Sequence, residues 1–188
     1  MNVLISGGCK NGKSLYAQQI ASDLAACRPL YYIATMIPRD EEDRARIRRH
    51  LKERKGWGFA TIEQGRNIAG LIGREDVDLA GSFLLDSVTA VLENEMYPVA
   101  LKEGKPAFLG EDQEAPERVR QELTDFALAV KKAGGSVVFV SDGIYGDMNG
   151  YSQSTERYRK ALAEADRALA EVCDRVTEVT CGMTEEWK

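Results

Sequence analysis

The chain is expected to fold as an α/β protein with a mainly parallel sheet and helices on both faces. Three observations carry that expectation. Short, wholly apolar runs such as Val3-Leu4-Ile5, Phe83-Leu84-Leu85 and Val137-Val138-Phe139-Val140 recur along the chain, which is how strands buried on both faces read. Between them lie amphipathic segments with apolar residues at helical spacing. A glycine-rich loop joins the first strand to the first helix. The 188 residues, 44% of them hydrophobic, suit a single packed domain over residues 1–188.

Val3 to Ser6 reads as a short buried strand, and Ser14 to Cys27 as a helix closed by Arg28-Pro29. Leu30 to Ala34 is the next strand. A polar helix follows from Asp40 to Lys55 and stops at Gly56-Trp57-Gly58. Phe59 to Ile62 is a short strand and Asn67 to Gly73 a short helix. Phe83 to Asp86 is a buried strand, and Ser87 to Met96 a helix broken by Tyr97-Pro98. Residues 98–115 hold several glycine and proline breakers and little periodicity, so they read as an exposed excursion. The helix Ala115 to Ala133 sets Val119, Leu123, Phe126, Ala127 and Val130 on one stripe, and Gly134-Gly135 ends it. Val137 to Val140 is the clearest strand. The helix Ser154 to Val172 carries Tyr158, Leu162, Ala165, Leu169 and Val172 on one face, and Val176 to Thr180 closes the series. There is no internal repeat.

Composition narrows the function. With 25 basic and 30 acidic residues the net charge is −5, which argues against a protein that coats nucleic acid. No apolar run is long enough to cross a membrane, and the first residues lack the pattern of a secretion signal, so a cytoplasmic location is expected. Four cysteines without a C-x-x-C pair and a single histidine speak against a zinc site or a disulfide framework.

Gly7-Gly8-Cys9-Lys10-Asn11-Gly12-Lys13-Ser14 is a complete G-x-x-x-x-G-K-[ST] phosphate loop. The glycines let backbone amides turn toward phosphate oxygens, and the following helix offers its positive end. Lys13 is expected at the β- and γ-phosphates and the Ser14 hydroxyl at Mg²⁺. By chance such a match arises in roughly one chain of this size in a hundred. Cys9 reads as a small loop residue, a thiolate favoured by the helix end being the alternative. A second acid is required near Mg²⁺ at a neighbouring strand end. Asp86 and Asp142 both qualify; Asp86 is favoured because it follows its apolar run directly, while an ordinary turn or cap is the bland role for either.

The stretch Asp40 to Lys55 has its acids first and its bases last, as the helix dipole prefers. It reads either as a solvated helix or as a cationic surface for a triphosphate. In the second case His50, the chain's one imidazole, stands among cations. A neutral imidazole can attack phosphorus and divide one transfer into two steps.

Taken in order, the Gly-Gly-x-x-x-Gly-Lys-Ser loop, Tyr32-Ile33-Ala34-Thr35, Arg46-Ile47-x-x-His50, Thr61-Ile62-Glu63 and Leu84-Leu85-Asp86-Ser87-Val88-Thr89 resemble a known family. So do Val137-Val138-Phe139-Val140, Arg157-Tyr158-Arg159 and a last strand ending near Gly182. The family is the bifunctional adenosylcobinamide kinase/adenosylcobinamide-phosphate guanylyltransferases of cobalamin biosynthesis, and the resemblance spans the chain. It implies a RecA-like P-loop NTPase fold and a homotrimer. It implies two reactions with ATP or GTP and corrinoid substrates: phosphorylation of adenosylcobinamide, then transfer of GMP from GTP through a guanylylated His50. It also implies nucleotide contacts at Ala34, Thr35, Glu63 and Asp86 and in the stretch just after His50, Lys52 and Arg54 included.

The chain departs from the family pattern in three places. Where many members carry Asn-Glu-Val-Gly…Gly-Ile-Val-Pro, this chain has Ser141-Asp142-Gly143-Ile144-Tyr145-Gly146-Asp147-Met148-Asn149-Gly150-Tyr151. A common Asn-Gln pair in the last helix is Asp166-Arg167, and the usual Arg-Pro-x-x-Trp is Arg54-Lys55-Gly56-Trp57. The nucleotide-side motifs are retained better than the late loop. Two other functions fit the residues alone: a phosphate-loop kinase of another hydroxylated metabolite, and a nucleotide-controlled binding module whose basic helix meets an acidic partner.

Overall fold

A computed structural model describes residues 1–102, 105–146 and 149–188. The chain runs β1 (Asn2–Ser6), α1 (Lys13–Ala25), β2 (Leu30–Ala34), α2 (Glu41–Glu53), β3 (Ala60–Glu63), a short 3-10 helix (Ile68–Leu71), β4 (Ser82–Asp86) and α3 (Val88–Met96). It continues through β5 (Val99–Lys102), β6 (Lys105–Phe108), α4 (Ala115–Lys132), β7 (Ser136–Val140), α5 (Gln153–Val172), β8 (Arg175–Thr180) and β9 (Met183–Glu186).

The main sheet has the order β3-β2-β4-β7-β1-β8-β9. All neighbours in it are parallel except β8 and β9. This is the α/β architecture expected, with α1 on one face and α3, α4 and α5 on the other. Val3, Ile5, Leu84, Val138 and Val140 bury against Ala17 and Ala21 of α1. Leu4, Phe83, Leu85, Val137 and Phe139 face Val119, Leu123, Phe126, Leu162 and Leu169 of α4 and α5. Alternate residues of each central strand therefore enter different cores, and a run apolar at every position is the result.

Two segments correct the sequence reading. Residues 98–115 were expected to be an irregular excursion; they contain the antiparallel pair β5–β6, with Val99 opposite Phe108 and Leu101 opposite Pro106. The residues at 103 and 104 within that expectation, and Asp147 and Met148 of the late loop, lie outside the described residues. The second correction is β9, which pairs through Thr180 and Met183 where no strand was expected. It is exposed along its length.

The C-terminal edge of the sheet is one row in register. Glu63 stands beside Ala34, Ala34 beside Asp86, Asp86 beside Val140, and Val140 beside Ile5. Every loop that leaves this row comes out on the same edge, where ligands sit in open α/β sheets.

Candidate active site

The phosphate loop lies between Ser6 and α1. Gly7 has φ of 142°, and a Cβ there would stand 2.2 Å from the Val179 carbonyl oxygen of β8, so no other residue fits. Gly12 sits at the N-cap in a left-handed conformation, with φ of 89°. The N-terminus of α1 has no side-chain cap and no acid in its first turn. In contrast, Asp40, Ser87 and Ser152 cap α2, α3 and α5. The first amides of α1 are thus left for an anion.

Lys13, 5% exposed, donates to the Gly8 carbonyl at 2.7 Å and to Asp142 Oδ1 at 2.8 Å. The loop holding Asp142 is fastened to β1 and the phosphate loop by its backbone: Ser141 N–H donates to Ile5 O, and Gly143 N–H to Gly7 O. Asp142 N–H donates to Thr89 Oγ1. Of the two strand-end acids weighed from the sequence, Asp142 meets the loop lysine, while Asp86 lies on the next strand. Asp86 and Leu84 share a face of β4, the face that α1 covers, so the first turn of α1, with Ser14, and the Asp86 strand end share one side and one edge of the sheet.

The set of donors fits Mg²⁺: a serine hydroxyl and carboxylates are hard oxygen ligands. Among the described residues no cluster of three or more His, Cys, Asp or Glu could hold a metal ion. Mg²⁺ takes one or two protein oxygens and draws its remaining ligands from phosphates and water.

Asp86 Oδ2 accepts from the Tyr32 hydroxyl at 2.9 Å. The Arg54 guanidinium lies over the Tyr32 ring at 3.5 Å from its centre, and Phe59 meets the ring edge-on. Burial and the Asp86 charge push the Tyr32 phenol far above its ordinary range. Arg54 is itself buried and caps α2, its N–H donating to the His50 carbonyl at 3.1 Å. His50 is half-buried in the last turn of α2, and Lys52 is exposed. Beside this helix end Leu51, Arg54, Lys55, Phe59 and Thr61 line an open cavity of about 450 Å³.

Ala34 is half-buried and Glu63 exposed at their strand ends. Thr35 is fully buried, and its hydroxyl accepts from Ser87 N–H and donates to Ser87 O. It joins the ends of β2 and β4 and serves the protein's own backbone.

Within α2, Glu41, Glu42 and Asp43 occupy the first turn and His50 and Lys52 the last. None of the described side chains from 41 to 52 is buried. The described side chains from 41 to 52 are exposed or half-buried, as either a solvated helix or a cationic surface requires, and the C-terminus of the helix is anchored through Arg54.

Sequence reasoning missed the role of Tyr32 and the cluster beneath the late loop. A tyrosine on a buried strand must find a partner for its hydroxyl, which was the available signal. In the cluster, Ser141 Oγ and the Tyr145 hydroxyl both donate to Asp166 Oδ2, at 2.8 and 3.0 Å, while Arg159 Nε donates to Ile144 O. Burial pushes Asp166 up to about 6, and the two hydroxyl bonds pull against that. Two departures from the family pattern, at 141–151 and at Asp166, thus meet in space.

A family model for cobinamide kinase / cobinamide phosphate guanyltransferase matches residues 3–186. The chain is 25% identical over 185 residues to the bifunctional adenosylcobalamin biosynthesis protein CobU of Escherichia coli, covering 97% of each chain. It is 26% identical over 186 residues to the protein of that name from Salmonella typhimurium, again covering 97% of each. A CobP protein of Pseudomonas aeruginosa is 26% identical over 183 residues, with 97% of this chain and 95% of that protein covered. Among solved structures, the flagellar accessory protein FlaH of Methanocaldococcus jannaschii superimposes with a TM-score of 0.52 at 11% identity, covering 100% of this chain and 77% of that one. That likeness concerns the fold alone, which is α/β and RecA-like.

Proposed function

The chain belongs to the cobinamide kinase / cobinamide phosphate guanyltransferase family, and we propose that it works as both kinase and guanylyltransferase. In the first reaction the aminopropanol hydroxyl oxygen of adenosylcobinamide attacks the γ-phosphorus of ATP or GTP, and the bond to the β-phosphate oxygen breaks. The hydroxyl proton is released to water in that step and the nucleoside diphosphate departs. Lys13 and the amides at the start of α1 hold the phosphates and balance their charge. Mg²⁺, carried on Ser14 and Asp86, would neutralise charge on the β- and γ-oxygens. Phosphoryl transfer asks for positioning and charge more than for protein-derived chemistry.

In the second reaction a ring nitrogen of neutral His50 attacks the α-phosphorus of GTP and pyrophosphate leaves. Arg54 and Lys55, which line the cavity at the end of α2, are the cations available to the leaving group, with Lys52 on the exposed face. A phosphate oxygen of adenosylcobinamide phosphate then attacks the same phosphorus, the P–N bond breaks, and adenosylcobinamide-GDP forms. We place the reactions in the cytoplasm and in a homotrimer.

The observation that carries this reading is the physical link between the two stations. Arg54, one turn beyond His50, stacks on the tyrosine that bonds Asp86. The test is intact-protein mass spectrometry after incubation with Mg²⁺ and GTP. The native chain should gain the mass of one GMP in an acid-labile bond, and His50→Ala should gain none. If the native chain binds GTP without any gain in mass, nucleotidyl transfer through His50 is wrong for it.

The Asp166 cluster favours one second reading. Its departures from the family pattern lie in and under the loop whose Gly143 N–H bonds Gly7 O of the phosphate loop, where a kinase for a different hydroxylated metabolite could differ. Adenosylcobinamide failing as phosphoryl acceptor, with nucleotide still bound, would select that reading.

A further inference from the structure

We propose that Tyr32 is a positioning residue for both halves of the site: its hydroxyl sets the Asp86 carboxylate, and its ring sets Arg54 and with it the helix end that bears His50. The inference rests on the two-reaction reading above and deepens it, since it assigns one side chain to the coupling of the two stations.

The geometry follows from strand register. Tyr32 pairs with Leu84 on the adjacent parallel strand, and Ala34 with Asp86. Leu84 and Asp86 share a face, so Tyr32 and Asp86 are diagonal neighbours on one side of the sheet, within reach of a long side chain. Tyr32 lies 4% exposed, its hydroxyl 2.9 Å from Asp86 Oδ2. The hydroxyl donates to that oxygen. A carboxylate with one oxygen engaged in this way keeps its other oxygen for a cation and loses the freedom to rotate.

On the other side, the ring is gripped between Phe59, edge-on at 5.8 Å, and the Arg54 guanidinium at 3.5 Å. Such a stack is strongest where water is excluded, and Arg54 is 8% exposed. The backbone of Arg54 closes the last turn of α2 through its bond to the His50 carbonyl. No described side chain of α2 from 41 to 52 is buried, so this contact fixes the end of a helix that the core does not hold.

Three variants separate the two arms. Tyr32→Phe keeps the ring and removes the donor. Tyr32→Leu removes both. Arg54→Met removes the stack from the other side and leaves the bond to Asp86. Each is first checked for native circular dichroism and thermal unfolding. The Mg²⁺ concentration needed for half-maximal binding of a fluorescent GTP analogue reads the Asp86 arm. It should rise roughly three- to tenfold in Tyr32→Phe, the range for one lost hydrogen bond.

Hydrogen exchange at the Arg54 amide reads the other arm. It should be native in Tyr32→Phe and faster by at least about tenfold in Arg54→Met, and in Tyr32→Leu where that variant folds. The rate of GMP attachment to the protein should fall with it. An unchanged Mg²⁺ requirement in folded Tyr32→Phe overturns the first arm, and native exchange at Arg54 in folded Arg54→Met overturns the second. Neither readout needs a covalent adduct. If the native chain never takes up GMP, the function proposed above fails while both arms of this test still give an answer.

Discussion

Replacing Asp166 with asparagine should flatten the pH dependence of stability, by an amount that the structure sets. Asp166 is 5% exposed, and burial pushes its carboxyl from 3.8 to about 6. Ser141 and Tyr145 donate to Oδ2, and Oδ1 is buried with no hydrogen-bond partner. The charge of Asp142 adds to the rise. A folded-state value above the unfolded one means that the native chain binds the proton more tightly. For this carboxyl the stability is therefore fully present below about pH 4 and is lost as pH rises through about 6. Between about pH 5 and about pH 7.5 the loss from this one group is roughly 1.4 kcal/mol, one unit of proton affinity. Asparagine keeps an acceptor for both hydroxyls and has no charge to bury.

Urea unfolding at several pH values in that range, on both proteins, gives the double difference in which every other titrating group cancels. The native chain should lose roughly 1.4 kcal/mol more than Asp166→Asn across the range. A constant offset between the two curves, at any value, would refute the assignment of a buried, titrating Asp166. The loop that carries Asp142 to Lys13 therefore rests on a group that titrates at about 6.

Two further outcomes follow from the same geometry. Gly7→Ala puts a Cβ 2.2 Å from the Val179 carbonyl and at φ of 142°, so nucleotide binding should be lost and unfolding should come at least about 2 kcal/mol earlier; native-like melting with intact nucleotide binding would contradict this. Cys9, Cys27 and Cys181 are exposed, while Cys173 is buried and its thiol is pushed up to about 12. A thiol reagent should therefore label three cysteines quickly and the fourth after unfolding, with Cys9 alone protected by bound Mg²⁺–GTP.

The fold was legible where burial on both faces made a run apolar at every position, as at Phe83-Leu84-Leu85 and Val137 to Val140. It was illegible where a strand is wet. Met183 to Glu186 is exposed throughout and mostly polar, so neither periodicity nor an apolar run marks it. In β6, Pro106 argues against a strand interior, yet proline is tolerated in a two-stranded pair where one side needs no donor. The phosphate loop was legible because its geometry is local: eight consecutive residues supply the turn, the cation and the helix end. The Asp166 cluster was not, because its partners come from a loop some twenty residues earlier: spacing from Leu162 and Leu169 sets Asp166 on the apolar face, but it does not say what pairs with it there.

The basic helix shows how a sequence can support two readings that are both physically sound. Ion pairs such as Arg44 with Glu41, Arg46 with Asp43 and Arg48 with Glu41 lie within one exposed element and are worth little each. Asp40 caps one end, accepting from Asp43 N–H. These local terms make a helix but do not say where it points. Direction comes from Arg54, which gives up solvent for the Tyr32 ring. A lysine there would present a compact, strongly hydrated charge instead of a flat, weakly hydrated cation that can lie on an aromatic face. The same residue type that reads from the sequence as one more surface charge is, in the fold, the one that ties the histidine's helix to the sheet edge bearing Asp86. Charge on a helix that contributes no described side chain to the core can vary without disturbing the fold, whereas the cation at its end cannot.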